Sequence, residues 1–148
     1  MTEKFHIIVP CYNEEKNIDN FIDNIILYLN KNINYEVLFI DDGSTDKTWE
    51  KIKRSCVSNA KINGIKLSKN FGKDSAIEAG LTKIFKTKKF DFVIVIDADL
   101  QHPINKIPEM IDLWNKNYKI VTTFKKNNVE SIIRKIGSDL FYFIMTKF

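Results

Sequence analysis

The sequence lacks the features that identify disulfide-rich, zinc-binding, membrane-spanning and secreted proteins. Its 148 residues include two cysteines, three prolines and five glycines. No run approaches the roughly 20 apolar residues that span a bilayer. Cys11 and Cys56 form no CxxC or Cys/His ligand pattern, so we interpret them as reduced thiols, typical of a cytoplasmic protein. The start, MTEKFHIIVP, combines an acidic residue with a short apolar run and is not typical of a signal peptide.

Two nucleotide-binding motifs are also missing. No GxGxxG follows the first apolar stretch, and GSTDKT lacks the GxxxxGK[ST] spacing of a P-loop. These absences argue against dinucleotide oxidoreductases and P-loop enzymes. The chain offers no Ser-His-Asp or Cys-His set, because His6 falls in an apolar stretch and His102 in a turn. What remains is a composition of 44% hydrophobic and 28% charged residues, which favours one ordinary globular domain.

The excess of basic residues is confined to the end of the chain. The formal net charge is +4, but residues 1–114 carry 16 Lys and Arg against 17 Asp and Glu, whereas residues 115–148 carry 7 against 2. Such a segment favours an acidic partner, namely a phosphate, a nucleic acid or an anionic membrane surface. The alternative is a tail whose charge only improves solubility.

Short apolar stretches alternate with helical patterns along the chain. The apolar stretches predict strands at 6–10, 35–40, 62–68, 90–96 and 118–124. Apolar side chains at helical spacing predict helices at 18–29, from the DDGSTD turn to about 56, at 74–85, at 107–114 and from 130 to the end. Asn17 and Asp74 are expected N-caps. This order indicates an α/β fold, a mostly parallel sheet covered by helices on both faces, in a single domain over residues 1–148.

Three polar loops directly follow predicted strands. They are CYNEE, DDGSTD and DADLQH. Ligands of parallel sheets bind outside the carboxyl ends of the strands. We therefore expect the three loops to converge on one rim of the sheet.

The stretch VIVIDADLQHP places two carboxylates at the end of a strand. Asp97 and Asp99, with Gln101 behind them, form an oxygen-only ligand set that suits Mg²⁺ or Mn²⁺ better than zinc. Magnesium usually takes one or two carboxylates plus substrate phosphates, so this interpretation also predicts a phosphorylated ligand. The alternative is a solvated loop that caps the next helix.

The other two loops offer groups that could bind a nucleoside. Asp41 and Asp42 could accept hydrogen bonds from a base or a ribose, and Gly43 allows a tight turn. Tyr12 could pack on a base while Glu14 binds its edge. The alternatives are a turn that caps a helix at DDGSTD and an ordinary helix start at CYNEE.

Taken in order, four segments resemble the motifs of family 2 glycosyltransferases with the GT-A fold, a Rossmann-like architecture. They are VPCYNEEKNI, VLFIDDGSTDKT, LSKNFGKDSAIEAGL and VIVIDADLQHP, and they cover nearly all of residues 5–110. The similarity is to the branch of dolichyl-phosphate mannose synthases and bacterial undecaprenyl-phosphate (bactoprenol) glycosyltransferases. That branch implies a nucleotide-diphosphate sugar as donor, a polyprenyl phosphate as acceptor, and inversion at the anomeric carbon.

Carried over by position, the resemblance assigns roles to single residues. It implies nucleotide-sugar contacts from Pro10, Tyr12, Glu14, the Ile40 backbone, Asp42, Lys73, Asp97, the Ala98 backbone and Asp99, beside Asp41. It implies Mg²⁺ or Mn²⁺ on Asp97, Asp99 and Gln101. Lys125 and Arg134 complete the catalytic set by holding the acceptor phosphate. Lys125 stands where the family commonly has an arginine, and the two side chains are not equivalent at a bidentate phosphate site.

The tail, VESIIRKIGSDLFYFIMTKF, resembles the branch's helix near the lipid acceptor. Its apolar residues recur at helical spacing beside basic ones, which favours an amphipathic helix over 130–148 in the interface of an anionic membrane. The alternative is a helix that packs against the domain or a partner. Family members usually continue beyond this helix, so the resemblance implies a shortened chain, whether truncated, split or degenerate.

We therefore expect an inverting, metal-dependent glycosyltransferase, peripheral to the cytoplasmic face of the membrane. A membrane subunit or a second copy of the chain is a further expected partner. Alternatives are transfer to a growing glycan and a nucleotide-sugar-binding module without turnover. Nucleic acid is disfavoured as a partner, since a rim of carboxylates repels phosphate when no metal is bound.

Overall fold

The computed structural model describes residues 4–29, 33–86, 90–101 and 104–123. The chain divides into two compact units, residues 1–109 and residues 110–148. The described strands are β1 (Lys4–Cys11), β2 (Asn34–Asp41), β3 (Ile62–Lys66) and β4 (Phe92–Val95). The described α-helices are α1 (Ile18–Tyr28), α2 (Thr48–Ser58), α3 (Lys73–Phe85) and α4 (Ile107–Asn115), and a 3₁₀ turn (Ile104–Lys106) precedes α4.

The four described strands form one parallel sheet in the order β3-β2-β1-β4. This confirms the predicted α/β class with a parallel sheet. The chain moves outward from β1 through β2 to β3 and then returns to place β4 on the free side of β1. The strand order therefore reverses between β1 and β4, the position at which open parallel sheets form a crevice.

Helices pack on both faces of the sheet, as predicted. Alternate side chains of a strand point to opposite faces. Ile8, Leu38 and Ile40 form one buried cluster with Ala76 and Ile84 of α3. On the other face, the rings of Phe21 in α1 and Phe39 in β2 meet edge to face at 5.7 Å. Burial on two faces explains why the strand sequences are continuously apolar rather than alternating.

The N-termini of two helices, α1 and α3, are not capped as the sequence predicts. The Asp74 N-cap is wrong, because α3 begins at Lys73 and its cap position is Gly72, with no side-chain hydrogen bond to the cap. Asn17 does occupy the cap position of α1, but it makes no capping hydrogen bond. Its amide instead donates to the Glu14 carboxylate at 2.6 Å.

The predicted fifth strand does not form over its described residues, 118–123. A strand exists only by pairing with a neighbour, and the described sheet contains no fifth strand. Ile120 is 89% exposed, so the apolar pattern here does not reflect a core position. The predicted helix over 130–148 lies outside the described residues. In the part of the chain that the structure describes, no helix has the length and apolar character needed to cross a membrane.

Candidate functional site

A cleft of about 350 Å³ opens at the carboxyl ends of β1 and β4, where the strand order reverses. All of its described lining residues belong to the unit of residues 1–109. The described lining consists of Pro10, Cys11, Tyr12, Glu14, Asp42, Asn70, Gly72, Lys73, Ala76, Asp97 and Asp99. The three polar loops that follow β1, β2 and β4 thus converge on one rim, and the segment before α3 joins them.

The loops after β1 and β2 are held together through Asn13. Its backbone N–H donates to the Ser44 hydroxyl at 2.9 Å, and its side-chain oxygen accepts the Thr45 N–H at 2.9 Å. Asn13 adopts φ 56°, a left-handed conformation that asparagine tolerates better than most residues. The polar residues of the DDGST turn therefore fix the neighbouring loop as well as their own.

A second group of hydrogen bonds extends this connection to the start of α2. The Glu14 N–H donates to the Thr48 hydroxyl at 2.8 Å, and the Glu15 N–H donates to Asp46 at 3.1 Å. Asp46 also accepts the N–H of Thr48 at 2.9 Å, at the helix N-terminus. Desolvation raises the Asp46 pKa, but the hydrogen bonds from the Thr48 hydroxyl and from the N–H groups of Thr48 and Glu15 together hold it below its ordinary value. The cap position of α2 is Lys47, which makes no side-chain capping hydrogen bond, so the expected cap from Thr45 or Asp46 is wrong in position, although Asp46 does accept the first N–H of the helix.

Asp42 fixes the loop that leads into α3. Its two carboxylate oxygens accept the backbone N–H groups of Phe71, at 2.9 Å, and of Gly72, at 2.8 Å. Gly43 lies against the same loop, because a Cβ added there would lie 2.4 Å from the carbonyl carbon of Lys69. Asp42 therefore lines the cleft, while the DDG turn as a whole fixes the segment beside it.

Lys73, the first residue of α3, contacts the carboxylate that follows β4. Its ammonium lies 2.6 Å from one Asp97 oxygen and 2.7 Å from the other. The Lys73 side chain is 58% exposed and that of Asp97 is 24% exposed. This ion pair joins the NFGK segment to the DAD segment across the cleft.

The predicted metal ligands are only partly brought together. Asp97 and Asp99 both line the cleft, whereas Gln101 is exposed and is not among the described lining residues. The Gln101 backbone N–H donates to the Asp99 carboxylate at 2.9 Å. Among the described residues, no group of three His, Cys, Asp or Glu side chains could hold a metal. Two carboxylates remain, the number that magnesium commonly takes from a protein when phosphate oxygens supply the other ligands.

Other predicted contacts lie behind the cleft. Ile40 and Asp41 are fully buried, Ala98 is 2% exposed, and none of the three is among the described lining residues. One Asp41 oxygen accepts the Ser44 N–H at 3.0 Å, while the other has no hydrogen-bond partner and lies 3.6 Å from the Lys66 ammonium. Lys125 and Arg134 lie outside the described residues. The assigned roles of all these residues stay predictions.

Four lining residues were not singled out from the sequence: Cys11, Asn70, Gly72 and Ala76. Cys11 is 4% exposed, and burial raises its pKa far above its ordinary value, so its thiol stays protonated. Ala76 and Gly72 lie at the start of α3, where small residues leave room for a ligand. The sequence signal that could have identified this segment is a glycine directly before a helix, in the loop that follows a strand.

The charge of the described lining is strongly unbalanced. Glu14, Asp42, Asp97 and Asp99 supply four carboxylates, against the single ammonium of Lys73. Like charges a few ångströms apart repel by several kcal/mol, about 4 at 4 Å with an effective dielectric near 20. A phosphorylated ligand would add to this repulsion, so its binding calls for an additional cation.

Residues 6–146 match the family model described as glycosyl transferase family 2. An undecaprenyl-phosphate 4-deoxy-4-formamido-L-arabinose transferase from Aeromonas hydrophila is 37% identical over 90% of this chain and 40% of its own length. A transferase of the same name from Photorhabdus laumondii is 31% identical over 98% of this chain and 44% of its own. The chain therefore spans about 40% of the length of these curated relatives.

Solved structures share the fold. A mannosyltransferase from Pyrobaculum calidifontis, in complex with GDP-Man and Mn²⁺, is 25% identical with a TM-score of 0.57, over 72% of this chain and 30% of its own. Glucosyl-3-phosphoglycerate synthase from Mycobacterium tuberculosis, in complex with UDP, gives a TM-score of 0.65 at 22% identity, over 88% of this chain and 47% of its own. At that identity the second likeness concerns the fold alone.

Proposed function

The chain belongs to the family 2 glycosyltransferases, and from this premise we propose that it transfers a sugar from a nucleotide-diphosphate sugar to a polyprenyl phosphate, with inversion at the anomeric carbon. The observation that carries the proposal is the carboxylate-rich cleft at the strand-order reversal, with an exposed aromatic ring at one side and a lysine at the start of a helix. The curated relatives named for undecaprenyl-phosphate transfer support the acceptor class.

The nucleoside end of the donor fits the wall formed by the loop after β1. Tyr12 is 43% exposed and lines the cleft, so its ring is available to stack on a base. Glu14 and Asp42 lie on the same cleft and accept hydrogen bonds from base or ribose groups. A carboxylate has about four lone-pair sites, so Asp42 can accept further bonds while it holds the Phe71 and Gly72 amides.

The diphosphate fits beside the N-terminus of α3. Gly72, Lys73 and Ala76 line the cleft there, and no side chain caps the helix. Uncapped backbone N–H groups at a helix N-terminus favour phosphate oxygens. Asp97 and Asp99 would hold Mg²⁺ or Mn²⁺ against the same oxygens. Such an ion offsets the charge that grows on the leaving diphosphate.

The acceptor requires positioning rather than deprotonation. A phosphate is anionic near neutral pH, so no strong general base is needed, and cationic side chains that hold it in line are sufficient. We assign this role to Lys125 and Arg134. The basic final segment would place the protein at the cytoplasmic face of the membrane, with or without a membrane subunit or a second copy of the chain.

Substitution of Asp99 tests the donor and metal assignments. We expect the wild-type protein to bind UDP or GDP in the presence of Mn²⁺ and to lose most of this binding in EDTA. Asp99→Ala should weaken Mn²⁺-dependent binding at least about ten-fold, since a charge-assisted contact contributes about 1.5–3 kcal/mol. Isothermal titration provides the measurement, with the exposed Asp23→Ala as a control that removes one carboxylate elsewhere.

Unchanged Mn²⁺-dependent binding in Asp99→Ala would contradict the metal assignment. Turnover is tested separately, by sugar transfer to undecaprenyl phosphate in vesicles. Donor binding without transfer would indicate the alternative, a nucleotide-sugar-binding module. Transfer only to an oligosaccharide would indicate a growing glycan as the acceptor.

A further inference from the structure

Lys73 already holds the carboxylate on which the proposed cation depends. Its ammonium contacts both oxygens of Asp97, at 2.6 and 2.7 Å. The contact joins residues 24 positions apart, on the N-terminus of α3 and the end of β4. A divalent ion on Asp97 would therefore meet an ammonium that already occupies its place.

The structure fixes the backbone of Lys73, while most of its side chain is exposed to solvent. Gly72 adopts φ 96°, and its N–H is held by Asp42, so the position at which Lys73 begins α3 is set. Four flexible bonds separate that backbone from the ammonium, and the side chain is 58% exposed. The ammonium can thus reach different partners around one fixed point.

The ion pair is also weak enough to exchange. Exposed pairs of this kind contribute little, because water screens the charges and holding a long side chain costs entropy. A diphosphate offers more negative charge and more acceptor oxygens than one carboxylate. Once a diphosphate occupies the cleft, the ammonium is therefore attracted more strongly to the phosphates than to Asp97.

We propose that Lys73 is a positioning residue that serves as the internal counter-ion of Asp97 in the empty cleft, then moves to the donor diphosphate and releases Asp97 to the divalent cation. The inference rests on the proposed function and adds an order of events. The nucleotide displaces Lys73 first, and the cation binds after it. Lys73 therefore opposes the binding of a metal alone and favours the binding of a nucleoside diphosphate.

Lys73→Met tests the proposal through two affinities that should move in opposite directions. Methionine keeps much of the length of the side chain and removes its charge. In the absence of nucleotide, we expect Lys73→Met to bind Mn²⁺ about two- to five-fold more tightly, as measured from the free-ion signal in electron paramagnetic resonance. With EDTA present, we expect its affinity for UDP and GDP to fall at least about ten-fold in isothermal titration.

Two further variants separate charge from structure. Lys73→Arg keeps the charge and should behave nearly as the wild type in the Mn²⁺ measurement. Lys69→Met removes a lysine of the same loop whose ammonium lies over the Phe71 ring at 5.1 Å, and it should change neither affinity more than about two-fold. A purely structural role for Lys73 would lower the melting temperature and weaken both ligands together.

The proposal is overturned if Lys73→Met moves both affinities in the same direction, or if its Mn²⁺ affinity equals that of the wild type. Failure of the proposed function is distinguishable. If the wild-type protein binds neither UDP nor GDP, with or without Mn²⁺, donor binding is wrong, while the Mn²⁺ measurement still decides whether Lys73 opposes the cation.

Discussion

Asp42 illustrates how one side chain can serve the fold and the cleft together. It is 3% exposed, lines the cleft, and accepts the N–H groups of Phe71 and Gly72. Buried polar groups are costly when unpaired, so a carboxylate at this depth needs such donors. The same bonds fix the start of α3, where Lys73 begins. Asp42 therefore stabilises the loop and lines the cleft at the same time.

His6 provides a prediction about stability at the residue scale. It is 6% exposed, its Nε2 has no hydrogen-bond partner, and desolvation lowers its pKa more than the Glu36 carboxylate raises it. Lys4 lowers it further. The unfolded chain therefore binds the His6 proton more readily than the folded chain does. As a result, the free energy of unfolding has its full value, as far as His6 is concerned, above the unfolded histidine pKa of about 6.5, and it decreases as the pH falls below that value.

We expect the melting temperature of the wild-type protein to fall between pH 7.5 and 5.5, and to fall less in His6→Phe, which cannot titrate. The second histidine, His102, is retained in both proteins, so the difference between the two curves reports on His6. Parallel curves for the two proteins over this range would show that His6 does not titrate differently on folding.

At the scale of elements, two glycines at the contact between the DDG turn and the loop before α3 form a matched pair. Gly43 and Gly72 both have positive φ, at 71° and 96°, but their surroundings differ. A Cβ at Gly43 would lie 2.4 Å from the Lys69 backbone, whereas a Cβ at Gly72 meets nothing within 4 Å. Gly72→Ala therefore carries only conformational strain, of about 1–3 kcal/mol. Gly43→Ala carries this strain and also displaces the 69–70 backbone.

Urea unfolding should show a larger loss of stability for Gly43→Ala than for Gly72→Ala. Nucleoside diphosphate affinity should fall in Gly43→Ala as well, because the displaced loop carries Lys73. Equal losses of stability in the two variants would mean that the 69–70 backbone moves away from Gly43 without cost.

The elements also show where sequence reasoning succeeds. The strands of the sheet were predicted because each is a short apolar run bounded by polar turns, and β1 to β4 lie within a few residues of the predicted positions. Their shared rim followed from parallel topology alone. The segment 118–124 carries the same apolar pattern, but its described residues, 118–123, pair with no described neighbour. Pairing is a tertiary property that a local pattern does not contain.

The site was predictable in its residue types and less so in its contacts. The rim carboxylates Asp97 and Asp99 were identified from their position after a strand, and both line the cleft. The contact between Lys73 and Asp97 could not be derived, since it depends on how α3 crosses back to β4. Gln101 follows the same strand, yet its side chain is exposed, because the turn at Leu100 (φ 59°) redirects the chain.

At the scale of the whole molecule, the described cleft and the excess of positive charge lie in different parts of the chain. Every described lining residue of the cleft lies between positions 10 and 99. The excess positive charge lies in residues 115–148, with 7 Lys and Arg against 2 Asp and Glu. Donor binding and membrane binding should therefore be separable by substitution.

Vesicle sedimentation of the full chain tests this separation. We expect binding to vesicles containing anionic phosphatidylglycerol, weaker binding to neutral vesicles, and loss of the difference at high salt, where charges are screened. Lys125→Gln/Lys126→Gln should weaken anionic-vesicle binding by about 2 kcal/mol, or roughly 30-fold, if both lysines lie at the surface of the membrane.

Lys83→Gln/Lys86→Gln removes the same charge from two exposed positions of the first unit and is the matched control. Equal weakening by the two double substitutions would show that net charge, rather than the basic final segment, attracts the protein to the membrane. Unchanged UDP or GDP affinity in Lys125→Gln/Lys126→Gln would complete the separation, because the donor cleft would then function independently of the residues assigned to the acceptor.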